Sequence, residues 1–282
     1  MHHLVLTIVC STSIALILKH NETQKGELIV LLTGNYLTAA VIALVLLLIN
    51  DQSNFSLQTL LYGAALGSLF VITFFILAYA IKFAGTGLAI TSSRLSVIIP
   101  IIFSIIFFDE TPNNLYVFGF VFTIITFIIF YLSVKRGHKD GDGSIKYFYL
   151  IAVFIGIGLN DFALKFFIVW RHENEEPYFI LFIFLSAFLY TSIYIIIKRI
   201  KIKRNTALLG LTLGVPNVLT TVFLLSALAL LPAIIVFPIM NVGIILLTTV
   251  MAFIIWKEKL NRWGVLALTS GMIAILFLSL GR

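Results

Sequence analysis

The chain has 282 residues, of which 61% are hydrophobic and 11% are charged, and its mean hydropathy is +1.11. A soluble domain carries about twice this share of charged residues, so the composition excludes a soluble enzyme. The net charge of +7 does not indicate nucleic-acid binding, because the basic residues form short clusters between long apolar runs. Cys10 is the single cysteine, which excludes an intrachain disulfide and the cysteine-based zinc sites. We expect neither a metal nor a cofactor.

Ten apolar stretches, each roughly 17 to 25 residues long and therefore able to cross a ~30 Å hydrocarbon core, predict ten transmembrane helices. The first begins directly after the N-terminus without a basic segment, so we expect a retained helix rather than a signal peptide. The break at Leu231-Pro232 is the weakest, since no polar residue marks it. The predicted stretches are 3–18, 27–49, 57–81, 87–108, 114–134, 147–170, 178–197, 206–230, 233–256 and 263–280.

The basic residues between these stretches predict the orientation, because cytoplasmic loops retain Lys and Arg whereas translocated loops lack them. Arg171 and Arg282 lie on one side, and fifteen basic residues lie on the other. The sequence therefore predicts a multi-pass protein of the plasma (inner) membrane with both termini outside and residues 135–146 in the cytoplasm. The fifteen are Lys19, Lys25, Lys82, Lys135, Arg136, Lys139, Lys146, Lys198, Arg199, Lys201, Lys203, Arg204, Lys257, Lys259 and Arg262.

An internal repeat divides the chain into two five-helix halves, 1–134 and 147–282, joined by the linker 135–146. Residues 78–110 align without gaps on residues 226–258, and both segments end at a glutamate. An odd number of helices in the first half places the second half upside down in the membrane, as in many secondary transporters. The sequence thus predicts an all-α membrane protein of ten transmembrane helices, arranged as two inverted repeats around a central cavity.

Each glutamate that ends a repeat segment is followed by a polar turn and then by a helix with a small residue nine positions on, which gives Glu110 with Gly119 and Glu258 with Ala267. This pattern resembles the drug/metabolite transporter superfamily, specifically its EamA-type ten-helix members. The resemblance implies a central cavity between the halves, with the fifth and tenth helices at the periphery. Asn35 departs from the family, which often has a basic residue in the second helix.

Three ionisable residues lie inside the predicted helices, where a charge is costly unless it is paired or hydrated. Arg94 is the strongest candidate for a substrate contact, because its planar guanidinium binds a carboxylate or phosphate through two parallel hydrogen bonds. The alternative is a structural arginine. Asp161 and Lys165 are four residues apart and could satisfy each other on one helix face. Asp161 is alternatively a proton carrier or the partner of a substrate amine, since a carboxylate in a low-dielectric surrounding can bind a proton near neutral pH.

Further polar residues fall near the middle of the predicted helices and complete the candidate substrate site. Pro216-Asn217 and Pro238-x-x-Asn241 mark two helices that proline either kinks or opens for binding. In contrast, we expect the acidic residues 173–176 to form a solvated turn outside the membrane. The candidate substrate-binding residues are Asn35, Ser93, Arg94, Asn160, Asp161, Tyr190, Asn217 and Asn241.

The function that these features favour is secondary transport of a small organic metabolite, anionic or zwitterionic like an amino acid, by alternating access. The resemblance favours export or exchange. A lipid-intermediate flippase or an accessory membrane subunit is the alternative. An enzyme is not expected, because the sequence has neither H-E-x-x-H nor G-x-S-x-G. The expected partners are the solute, membrane lipid, and a proton or counter-substrate, and the expected state is a monomer or a homodimer.

Overall fold

A computed structural model describes residues 1–49, 55–84, 86–134, 143–171, 173–256 and 262–280, and the regular structure in these ranges is helical. A short 3-10 helix, Glu173–Glu175, precedes α8. The α-helices are α1 (His2–Thr23), α2 (Leu28–Ile49), α3 (Leu57–Ala84), α4 (Thr86–Leu95), α5 (Ile98–Phe107), α6 (Asn114–Val134), α7 (Gly143–Trp170), α8 (Glu176–Lys198), α9 (Arg204–Leu230), α10 (Ala233–Trp256) and α11 (Arg262–Leu280).

All ten predicted stretches fall on helices, but the fourth is divided into α4 and α5. Pro100 explains the division, because it has no N–H for the carbonyl of Ser96 and disfavours a continuous helix through the preceding turn. The N–H of Ile99 bonds to the Ser96 carbonyl instead, at 2.9 Å. Residues 143–146 of the predicted linker belong to α7, and residues 135–142 lie outside the described residues.

Within the described residues, seven helices are long and apolar enough to cross a membrane, namely α1, α2, α3, α7, α8, α9 and α10. Three shorter apolar segments, 92–107, 114–129 and 265–280, accompany them. By length and composition the chain is therefore a multi-pass membrane protein. The prediction of ten full spans is confirmed in its helix positions and only partly in span length, while the inverted repeat, the central cavity and the orientation stay predictions.

The contacts divide the chain into two compact units. Unit 1 is Met1–Val71 with Phe166–Ser226, and unit 2 is Ile72–Lys165 with Ala227–Arg282. Each unit takes a segment from both predicted sequence halves. The halves describe sequence similarity and the units describe packing, so the predicted repeat is neither supported nor opposed by this division.

Glycines set the closest helix contacts in unit 1. A Cβ atom at Gly210 of α9 would lie 2.3 Å from the carbonyl oxygen of Leu31 in α2, and one at Gly67 of α3 would lie 2.4 Å from the carbonyl oxygen of Ile183 in α8. Both distances are shorter than any Cβ contact allows, so these backbones approach only because the side chain is absent. Gly67 and Gly210 therefore serve helix packing.

The acidic segment before α8 is not the solvated turn that the sequence predicts, because Glu175 is only 9% exposed. Ser56 precedes α3, and its Oγ accepts the N–H of Thr59 at 3.1 Å, as an N-cap does. Glu175 then accepts the N–H and O–H of Ser56 at 3.3 and 2.9 Å, accepts the O–H of Thr59, and pairs with Arg171. One carboxylate thus joins the start of α3 to the end of α7.

Hydrogen bonding sets the pKa of the Glu175 carboxyl. Burial alone would raise this pKa, but the bonds from Thr59, Arg171 and Ser56 outweigh burial and lower the pKa to about 2. The ionised carboxylate is therefore the form that the fold stabilises.

In unit 2, α6 packs along α11, where Thr126 donates to the Oγ of Ser270 at 3.0 Å. Asn113 caps the start of α6, since its Oδ1 accepts the N–H of Tyr116 at 3.0 Å. Thr111 is also of a residue type that caps helices, but it does not cap this one. The helix begins at Asn114, so Thr111 lies too far upstream to reach its free N–H groups.

A valine at Gly210 should destabilise unit 1, because its side chain would overlap the backbone of α2. We expect Gly210→Val to lower the free energy of unfolding by about 1–3 kcal/mol, the usual cost of overpacking. The matched control is Thr212→Val, which introduces valine at an exposed position of the same helix, α9. Thermal unfolding of both purified variants is the measurement, and equal melting temperatures would contradict the close contact.

Replacing Glu175 with Gln should destabilise the protein at neutral pH and progressively less as the pH falls. Because folding lowers the pKa of Glu175 from 4.5 to about 2, its stabilisation is complete above about pH 4.5 and disappears as the pH approaches 2. The measurement is the difference in melting temperature between wild type and Glu175→Gln from pH 7 to pH 3. A difference that stays constant over this range would refute the assignment.

Candidate functional site

The candidate site in unit 2 is built around Arg94, in the last turn of α4 before the break that Pro100 causes. Its Nη1 donates to Oδ1 of Asn241 in α10 at 3.0 Å. Asn241 is buried and its Nδ2 donates to the carbonyl of Phe237 at 3.0 Å, which fixes the amide with its oxygen toward the guanidinium. The structure therefore brings two of the predicted residues, Arg94 and Asn241, into direct contact.

The guanidinium of Arg94 keeps unused hydrogen-bonding capacity. Its Nε is buried and has no hydrogen-bond partner within the described residues. Asn241 is neutral, so this contact does not balance the positive charge. Asp161 of α7 does so in part, since its carboxylate and the guanidinium attract each other within unit 2. A buried cation with an open donor is the arrangement that an anionic ligand can complete.

Two further predicted residues of unit 2 lie beside this pair in sequence. Asn160 precedes Asp161 on α7, and its Oδ1 is buried without a partner in the described part of the chain. Ser93 precedes Arg94, but its hydroxyl donates to the carbonyl of Ile90 in its own helix at 2.9 Å. Ser93 can therefore offer a ligand only an acceptor, whereas Asn160 retains an open carbonyl oxygen.

The other three predicted residues belong to unit 1. Asn35 of α2 is buried, and its Oδ1 has no partner among the described residues. Asn217 of α9 is half-buried, and its backbone carbonyl accepts the hydroxyl of Thr221 at 3.3 Å. Tyr190 of α8 is 43% exposed, so it lies on the surface of the unit rather than in its core. Of these three, Asn35 has the surroundings expected of a buried binding residue.

Lys165 does not pair with Asp161, although the spacing of the two residues allows it. Its Nζ lies 2.9 Å from Oε1 of Glu110, and the two side chains are 9% and 10% exposed. Lys165 also approaches the carbonyl oxygen of Leu228, near the end of α9, at 3.5 Å. The i, i+4 prediction is therefore wrong for Lys165, because a carboxylate distant in sequence neutralises it.

Glu110 is a structural residue that caps α10. Its two carboxylate oxygens accept the N–H groups of Ala233 and Ile234, each at 3.0 Å, and these are the first two residues of the helix. A carboxylate at this position also interacts favourably with the helix dipole. Glu110 follows α5 in the chain, and the helix that it caps begins more than 120 residues downstream.

This contact explains why the break at Leu231-Pro232 carries no polar residue of its own. The free N–H groups at the start of a helix need acceptors, which usually come from a nearby side chain. Here the acceptor comes from Glu110. The related residue Glu258 lies outside the described residues, as do Lys257 and Lys259.

No protein-family model matches the chain. It is 27% identical to an "Uncharacterized protein" of Haemophilus influenzae, over 98% of this chain and 96% of that protein. A protein of known crystal structure has the same fold, with a TM-score of 0.82 at 12% identity over 99% of this chain and 95% of the other. These likenesses extend over the whole chain, but they assign no family. The similarity to the drug/metabolite transporters stays a prediction from the sequence.

The Glu110–Lys165 pair predicts the order of stability of three variants, the two single substitutions and the double one. Glu110→Gln should cost more than Lys165→Met, because it leaves a buried ammonium without its counter-charge and weakens the cap of α10. Breaking a buried pair from one side costs about 3–5 kcal/mol, whereas removing both charges costs much less. The double variant should therefore melt at a higher temperature than Glu110→Gln alone. Glu22→Gln, an exposed change, is the control, and a double variant less stable than both single ones would contradict the pairing.

Proposed function

We propose that this protein is a secondary transporter of a small organic anion or zwitterion. The observation that supports it most directly is Arg94, a cation in an apolar helix that is held by Asn241 and whose buried Nε has no partner among the described residues. A structural arginine would be expected to have its donors occupied, since an unsatisfied donor in a low-dielectric surrounding is costly. The open donor gives the binding of a carboxylate or phosphate group a physical reason.

Asp161 supports a zwitterionic substrate or proton coupling at the same place. Its carboxylate and the guanidinium of Arg94 attract each other within unit 2. An anionic group of the substrate would pair with Arg94, and the carboxylate of Asp161 would then be available to bind a substrate amine or a proton. Arg94 would recognise the acidic group, and Asp161 would carry the coupling. Lys165 does not interfere with this exchange, because Glu110 already neutralises it.

The mode of transport rests on the sequence. Two halves of five helices with opposite charge bias are the pattern of inverted-repeat transporters that work by alternating access. The resemblance to the drug/metabolite superfamily points the same way and favours export or exchange. The sequence has no Walker A motif, so we propose coupling to a proton or a counter-substrate rather than to ATP.

The test begins with a solute panel of amino acids, organic acids, nucleosides and amines, screened by thermal stabilisation of the purified full-length protein. A ligand that binds only the folded state at about 100 times its dissociation constant stabilises it by about 2.7 kcal/mol. We expect an acidic or zwitterionic solute to raise the melting temperature of the wild type. Arg94→Lys should bind it more weakly, since an ammonium lacks the two-pronged geometry, and Arg94→Met should not respond.

Counterflow exchange of the same solute in proteoliposomes then measures transport. Wild type and the control Lys201→Gln, which removes an exposed charge far in sequence from Arg94, should exchange at the same rate. Arg94→Met should not exchange. If no solute of the panel binds, or if one stabilises wild type and Arg94→Met equally, Arg94 is structural and the proposal fails.

A further inference from the structure

Unit 1 contains a cavity that none of the candidate substrate residues lines. Its volume is about 540 Å³, and it lies between the last turn of α1 and the first turn of α9. Both helices are candidate membrane spans, and the cavity lies at their ends. The cavity is therefore at the level where a membrane helix meets water and lipid headgroups.

The charged groups that line the cavity are basic. Lys203, Arg204 and His20 contribute to its wall, and its lining within the described chain contains no carboxylate. Neither Lys203 nor Arg204 forms an ion pair within 4.0 Å in the part of the chain that the structure describes. Two cations with no counter-charge thus face the same space.

Backbone donors face the same end of the cavity. Arg204, Asn205 and Thr206 are the first three residues of α9, and all three line the cavity. The first N–H of this helix with a backbone acceptor belongs to Ala207, which donates to the carbonyl of Lys203 at 3.0 Å. The three preceding N–H groups have no intrahelical acceptor, and the helix dipole adds partial positive charge there.

Thr206 provides an independent sign of a ligand. The residue is only 6% exposed, it lines the cavity, and its hydroxyl makes no hydrogen bond within the described residues. Gly26 lies close by, since a Cβ atom there would come within 3.0 Å of Oγ1 of Thr206. The segment after α1 therefore lies beside the hydroxyl without offering it a partner. Because the residue is almost fully buried and lines the cavity, its hydroxyl is available to a group that binds there.

We infer that this cavity binds a phosphate group. Two cations without an ion pair in the described chain, three backbone N–H groups and the hydroxyl of Thr206 surround the space with donors, which suits an oxyanion with several acceptor oxygens. A single carboxylate has two oxygens and would leave donors unused. The phosphate belongs either to the headgroup of a phospholipid, which the position at the helix ends favours, or to a soluble phosphate compound.

The test measures the melting temperature of the full-length protein in an uncharged detergent with two probes. One probe is inorganic phosphate, with chloride at the same ionic strength as the reference, and the other is a short-chain phosphatidylglycerol. Three variants accompany the wild type. Lys203→Gln/Arg204→Gln removes both cations, Thr206→Val removes the hydroxyl at nearly constant volume, and Lys198→Gln/Lys201→Gln removes two exposed charges from the same cluster outside the cavity.

Wild type and Lys198→Gln/Lys201→Gln should be stabilised equally. Lys203→Gln/Arg204→Gln should bind the probe about tenfold more weakly or worse, and Thr206→Val roughly threefold more weakly, as expected for the loss of charged and neutral hydrogen bonds. A response to phosphatidylglycerol alone identifies the lipid headgroup as the source. A response to inorganic phosphate, with or without the lipid, identifies a site that also accepts soluble phosphate.

Two results would overturn the inference. The first is that neither probe stabilises the wild type. The second is that the cavity variants and the control variant lose the same amount of binding, since the cationic cluster would then attract anions without a built site. Thr206→Val keeps every charge of the cluster, so it tests the cavity even if the double variant does not fold.

Discussion

Unsatisfied backbone groups at the ends of apolar helices are the constraint on which the rest of this structure depends. A helix satisfies its own interior, but its first N–H groups need acceptors from elsewhere, and hydrocarbon offers none. Glu110 supplies them for α10, and Glu175 joins the Ser56 cap of α3. Each carboxylate also neutralises a cation, Lys165 within α7 or Arg171 directly after it, so the same contacts hold this long helix to its neighbours.

Two other places in the described part of the chain have donors without such a carboxylate. The cavity at the start of α9 is lined by basic residues and by no carboxylate of the described chain, and the hydroxyl of Thr206 makes no hydrogen bond within that part of the chain. The hydrogen-bond partner of Arg94 is an amide, whereas that of Lys165 is a carboxylate, and the Nε of Arg94 has no partner in the described part of the chain. Cations with a carboxylate partner are structural, whereas those without one are candidates for a function. The distinction follows from the contacts of each side chain and not from its residue type.

The helix positions could be predicted from the sequence because a span needs a long apolar run, and each run ends where polar residues begin. The division into α4 and α5 was also readable in principle, since Pro100 stands inside the fourth stretch. The partners of Lys165 and Glu175 could not be predicted. Glu175 reaches Ser56 across 119 positions and Glu110 reaches Ala233 across 123, and local spacing carries no information on such contacts.

The sequence by itself determined the class of protein and the place of each apolar helix. It also identified Arg94 as a cation inside an apolar segment, where a charge is costly unless it has a role. These follow from composition and from the cost of charge in hydrocarbon, which act on each segment alone. Only the tertiary structure decided that Arg94 donates a hydrogen bond to Asn241 and that Lys165 pairs with Glu110 rather than with Asp161. It also decided that a cavity with basic lining residues lies beside α9. Those outcomes depend on which helix ends meet, and packing of the whole chain fixes that.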